Sequence, residues 1–102
     1  MQKLGNYISG KWIEGDGEGQ LLYNAVTGKA INSATTKGLD FESILHYART
    51  TGNPALRKMT FHERGLMLKA LAFHLLAKKE DFYKISALTG ATRSDSWVDI
   101  EG

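Results

Sequence analysis

The stretch Thr60-Phe61-His62-Glu63-Arg64-Gly65-Leu66-Met67-Leu68-Lys69-Ala70-Leu71-Ala72-Phe73-His74-Leu75-Leu76-Ala77 decides how this chain folds. Thr60 and Glu63 have the spacing of a capping box, in which the Thr60 hydroxyl accepts from the Glu63 amide and the Glu63 carboxylate reaches back to the Thr60 amide. A helix therefore starts here. From Leu66 to Ala77 only Lys69 and His74 are polar, so the apolar surface wraps most of the circumference instead of forming one stripe. A helix of this kind requires cover on several sides.

Toward the carboxyl end a further helix is predicted from about Glu80 to Thr89. It has Glu80 and Asp81 in its first turn, which suits the helix dipole, and Gly90 as a left-handed stop. Thr92 or Ser94 then caps a last helix carrying Trp97, Val98 and Ile100, which has made little more than two turns by Gly102. In the other direction, Phe41, Ile44, Leu45 and Ala48 fall on one face of a helix capped by Asp40, and Gly52-Asn53-Pro54 is expected to end it.

Before Leu39 the pattern is one of short strands and turns. Tyr7-Ile8-Ser9-Gly10-Lys11-Trp12-Ile13 predicts a hairpin around Ser9-Gly10. Gly15-Asp16-Gly17-Glu18-Gly19 has almost nothing to bury and predicts a mobile loop before a strand at Leu21-Leu22-Tyr23. Asn24-Ala25-Val26-Thr27-Gly28 turns the chain into a strand over Lys29–Ser33. The expected fold is α+β: hairpin strands over residues 1–38 followed by three to four helices over 39–102, all in one segment.

Composition narrows the function classes. A hydrophobic content of 42% excludes disorder. Thirteen basic against eleven acidic residues leave a charge of +2, with both signs scattered, so no polyanion partner is implied and nucleic acid is set aside. No apolar run approaches the length of a signal peptide core or a membrane span, so a cytoplasmic location and no membrane partner are expected. The chain has no cysteine, which excludes a disulfide framework, a thiolate-bound zinc and a thiol nucleophile within these residues.

Each candidate chemical motif has a simpler reading. Gly15, Gly17 and Gly19 are spaced G-x-G-x-G, not as the dinucleotide fingerprint, and Asp16 and Glu18 would repel a phosphate. Gly28-Lys29 resembles the end of a phosphate loop, but Tyr23 stands in place of the first glycine and Ala30 in place of the hydroxyl residue. His62-Glu63 begins like a zinc-protease helix, yet Leu66 occupies the position of the second imidazole. His74 reads as a core or interface histidine and His46 as a surface residue. Ser33, Ser86, Ser94 and Ser96 lie in no nucleophile-elbow pattern. Phe61, Phe73, Phe82, Tyr83 and Trp97 have packing spacings, and Lys78-Lys79 suits a helix end. These residues predict no catalytic, cofactor-binding or metal-binding site.

Taken in order, the stretches resemble the amino-terminal part of the aldehyde dehydrogenase superfamily. Ser9-Gly10-Lys11-Trp12 resembles its opening hairpin, Asn24-Ala25-Val26-Thr27-Gly28-Lys29-Ala30-Ile31 its N-P-x-T-G-E-x-I turn, and Leu39-Asp40 the start of its first helix. Met59-Thr60-Phe61-His62-Glu63-Arg64, with Leu66 and Leu68, and Thr89-Gly90 follow in family order and spacing. Pro54-Ala55-Leu56-Arg57 and the tail Thr89–Gly102 resemble the bifunctional branch of bacterial phenylacetate breakdown. Ala25, Lys29 and Ala91 depart from the usual proline, glutamate and lysine. An acidic cation-ligand position in some relatives is Leu88 here, so no cation site is expected.

The resemblance implies a parent of α/β fold whose dehydrogenase part oxidises the semialdehyde of a ring-opened CoA thioester with NADP or NAD, beside a hydratase-like domain. The family's thiol nucleophile, glutamate base and nucleotide-binding strands lie beyond this chain, which implies no cofactor within it. Its expected partners are the remainder of the parent dehydrogenase and, in a homo-oligomer, further copies of that parent. Two alternatives stand beside this: a self-associating helical module, and a small enzyme using His62 or His74.

Overall fold

The computed structural model describes residues 1–102 and is mixed α+β, as the sequence predicts. The chain resolves into two units. Met1–Tyr23 with Ala30–Met59 form the first, and Asn24–Lys29 with Thr60–Gly102 the second.

In the first unit, β2 (Asn6–Ile8) and β3 (Lys11–Ile13) form the predicted antiparallel hairpin. Ser9 and Gly10 both have positive φ, 51° and 81°, the left-handed pair that matches the twist of a two-residue hairpin. Tyr7 pairs with Trp12 across it, ring centroids 5.2 Å apart.

A three-stranded sheet has β5 (Ala30–Ala34) at its centre. The antiparallel neighbour is β4 (Gln20–Tyr23), and the parallel one is β1 (Gln2–Lys3), with Gln2 opposite Asn32. Strand β1 is absent from the sequence reading, because two residues carry no periodicity and its partner lies thirty positions away. The central position of β5 buries Ser33.

The glycine segment after β3 is anchored, contrary to the mobile loop expected. Asp16 N–H donates to Lys37 O at 2.8 Å, Thr35 Oγ1 to Asp16 O at 3.2 Å and Lys3 Nζ to Gly17 O at 2.6 Å. A Cβ on Gly15 would strike the Thr35 carbonyl, and one on Gly19 the Ala34 carbonyl. These glycines let two backbone stretches meet where any side chain would separate them.

Asp40 caps α1 (Phe41–Tyr47) by accepting from Ser43 N at 3.1 Å. The helix does not stop at Gly52-Asn53-Pro54. It passes through a π turn, Ala48–Gly52, into α2 (Asn53–Lys58), with right-handed helical dihedrals at Tyr47, Ala48, Gly52 and Asn53. Pro54 falls in the first turn of α2, where its missing N–H costs least, and the wider π turn relieves the clash of its ring with the preceding turn. Thr50 Oγ1 donates back to His46 O at 2.8 Å. Of the predicted apolar face only Ile44 is half-buried; Phe41 and Leu45 are exposed.

In the second unit, Thr60 caps α3 (Phe61–Leu76), accepting from Glu63 N at 3.1 Å. The return half of the box differs from expectation: Glu63 Oε1 accepts from the Thr60 hydroxyl at 3.2 Å. Next come α4 (Lys79–Leu88), ended by Gly90 at φ 84°, and α5 (Arg93–Ile100), capped by Thr92 through Asp95 N at 3.2 Å. The turn Asn24–Lys29 is stapled by Asn24 Oδ1, which accepts from Val26 N and Thr27 N, and Ala25 N–H donates to Leu88 O at 2.8 Å.

Candidate functional site

Helix α3 is bare. None of its sixteen residues is buried, and Leu66, Leu71 and Phe73 are 52%, 50% and 62% exposed. At 100° per residue the exposed Leu66, Met67, Leu68, Leu71, Phe73, Leu75 and Leu76 point to every quarter of the helix. His74, expected in a core or interface, is exposed with them.

Between α3, α4 and the end of α5 lies a groove of about 520 Å³. Its α3 wall is Lys69, Ala72, Phe73, Leu75 and Leu76; Lys69, Ala72, Phe73 and Leu76, spaced by three, one and three, share one helical face, and Leu75 lies beside it. Phe82 and Ile100 complete the apolar lining, and Asp99 and Glu101 add two carboxylates to it. Lys69 Nζ stands 6.0 Å from the Phe73 ring centre.

A polar cluster locks α5 onto α4. Tyr83, 7% exposed, donates its hydroxyl to Glu101, whose other oxygen accepts from Lys79 Nζ at 3.1 Å. The Tyr83 hydrogen bond, then the Lys79 ammonium, hold the Glu101 carboxyl below the usual carboxylate range; the same hydrogen bond, with the Glu101 charge, pushes the Tyr83 phenol up. Arg93 lies over the Tyr83 ring, its guanidinium carbon 4.0 Å from the centre, and pairs with Glu80 at 3.3 Å. Ser96, 2% exposed, shares a 2.7 Å hydrogen bond with Ser86 and donates to Thr92 O at 2.9 Å.

This arrangement assigns the sequence candidates to structural places. Ser86 and Ser96 bond to each other and to backbone, not to an imidazole. His62 and His46 are exposed on α3 and α1, and Glu63 is engaged with Thr60. Lys78 and Lys79 start α4 instead of closing α3, and Lys79 there meets Glu101. No three His, Asp or Glu side chains gather as a metal-binding set. Sequence reasoning passed over the Tyr83–Glu101–Lys79 group: Glu101 is eighteen positions from Tyr83, and no local spacing marks the pair.

No helix is long and apolar enough to cross a membrane. No protein-family model matches the chain. The chain is similar to the 3,4-dehydroadipyl-CoA semialdehyde dehydrogenase of Aromatoleum evansii, with 43% identity over 101 residues. That match takes in 98% of this chain and 20% of the relative, so the chain spans about a fifth of the length of the curated relative it matches.

Proposed function

We propose that this chain is the amino-terminal segment of an NAD(P)-dependent aldehyde dehydrogenase acting on a CoA-linked semialdehyde, and that its part in that enzyme is structural. The observation that carries the reading is the 43% identity sustained over 98% of the chain to a CoA-semialdehyde dehydrogenase five times its length. Aldehyde oxidation by this family's covalent route needs a thiolate to attack the carbonyl before hydride leaves, and these 102 residues contain no cysteine. The nucleotide would accept that hydride when bound. Nothing here fits it, because Gly15 and Gly19 spend their open side on the Thr35 and Ala34 backbone and the loop leads into no helix. Pro54-Ala55-Leu56-Arg57 and the tail Thr89–Gly102 support placing the parent in phenylacetate breakdown, and we propose that this parent is a cytoplasmic, bifunctional homo-oligomer using NADP or NAD.

The test is to express the source reading frame and follow NAD(P)⁺ reduction with a CoA-linked semialdehyde. Turnover by the longer protein, with no nucleotide binding by residues 1–102, is the expected result. A frame that stops at Gly102, or NAD(P)H binding by this piece, overturns the reading. The exposed apolar residues of α3 favour a second reading, a helical module that associates with itself through α3. An immediate stop with a stable oligomer would establish it.

A further inference from the structure

We infer that the backbone N–H of Ala25 closes the carboxyl end of α4 in the place where a relative with proline at that position holds a monovalent cation, so that this protein joins its Asn24–Lys29 turn to α4 without an ion. The inference rests on the aldehyde dehydrogenase reading above, which supplies the comparison.

A helix ends on carbonyls that have no partner within it. In α4 the Ser86 carbonyl accepts from Thr89 N–H at 3.0 Å and from Thr89 Oγ1 at 2.6 Å, and the Ala87 carbonyl accepts from Gly90 N–H at 3.2 Å. Those donors are local. The Leu88 carbonyl instead accepts from Ala25 N–H at 2.8 Å, a donor in the turn between β4 and β5. The turn is fixed in the shape that makes this donation: Asn24 Oδ1 accepts from Val26 N–H at 2.8 Å and Thr27 N–H at 3.1 Å, Gly28 N–H donates to Asn24 O at 2.8 Å, and Asn24 N–H donates to Lys29 O at 2.9 Å. A Cβ on Gly90 would lie 3.6 Å from the Ala25 methyl, so the turn is seated against the end of the helix.

The two residues joined by this bond are both departures from the family pattern. Proline at position 25 has no N–H, and the Leu88 carbonyl would then stand at the negative end of the helix dipole without that donor. A cation answers both lacks, and an acidic side chain at position 88 adds the charge that holds it. Here Leu88 has no side-chain oxygen to offer. The Ala25 N–H presents its positive hydrogen to the same carbonyl, where it repels a cation, and these residues therefore do not fit the ion.

The test is hydrogen exchange at single-residue resolution on the protein expressed from its full reading frame, in potassium, sodium and choline chloride at equal ionic strength. The Ala25 amide should exchange at least about tenfold more slowly than in the urea-denatured chain, with the same rate in all three salts. Ala25→Pro should speed exchange of the Thr89 and Gly90 amides by at least about fivefold, the factor carried by one hydrogen bond of ordinary strength, and Ala25→Ser, which keeps the N–H, should not. An Ala25 amide that exchanges as fast as in urea overturns the inference. So does protection of Ala25, Thr89 or Gly90 that rises with potassium or sodium but not with choline, or a folded proline variant whose Thr89 and Gly90 exchange is unchanged. Should the proline variant not fold, the salt comparison on the unaltered protein decides alone. Dehydrogenase turnover by the same samples separates the two claims: an active dehydrogenase whose α4 end is tightened by potassium or sodium sinks only this one, and an inactive protein whose Ala25 amide is protected equally in all three salts sinks only the assigned reaction.

Discussion

Tyr83, near the middle of α4, donates its hydroxyl to Glu101, the residue that follows α5, so the last helix is held by a side chain eighteen positions upstream. Lys79 completes the arrangement from the first turn of α4, where a lone cation would oppose the helix dipole and an adjacent carboxylate offsets it.

That relationship makes α5 docking sensitive to pH. The folded Glu101 carboxyl sits below its ordinary value, so its contribution is fully present above the usual carboxylate range and is lost as pH falls through the lowered value. The Tyr83 phenol sits above its ordinary value, so its contribution holds below the usual phenol range and is lost as pH rises through the raised value. Trp97 fluorescence in a Trp12→Phe background should therefore be flat near neutrality and change at both extremes. Glu101→Gln should remove the acid transition, and an unchanged acid limb would refute the assignment.

Thr60 begins α3 with a hydroxyl that serves both the Glu63 amide and the Glu63 carboxylate. Thr60→Ala should destabilise the chain by about 1 kcal/mol and Thr60→Ser by much less. Thermal unfolding checks both, since 1 kcal/mol corresponds to about 4–8 °C in a domain of this size.

Gly17 and Gly19 have nearly the same backbone, φ 73° and 75°, but only Gly19 abuts another strand. Gly17→Ala should cost about 1–2 kcal/mol for the left-handed conformation alone. Gly19→Ala should cost about 1–3 kcal/mol more, because its methyl meets the Ala34 carbonyl. Equal losses in urea titrations of the two variants would show that the close approach is not made.

Gly65 lies inside α3 with open space where a Cβ would be. Gly65→Ala should stabilise the chain by about 1 kcal/mol, the helix-propensity difference between the two residues. A lower midpoint in chemical denaturation would mean that something packs against this position.

Much of the fold was legible in the residues themselves, and the legible part has a common cause. The caps at Asp40, Thr60 and Thr92 and the Ser9-Gly10 turn depend on bonds and dihedrals within three positions, which short-range spacing encodes directly. The excess of apolar residues around α3 was equally plain, since it follows from composition along one helix. Tertiary structure decided what depends on distant partners. Strand β1 exists because β5 offers it an edge, and the Gly15–Gly19 segment is fixed because the Ala34–Lys37 backbone comes against it. Gly52-Asn53-Pro54 continues a helix because a π turn makes room for the proline ring. Glu101 finds Tyr83 and Lys79 only after α4 and α5 have packed together. Each of these joins positions whose approach carries a loop-closure cost, and periodicity along the chain has no term for it.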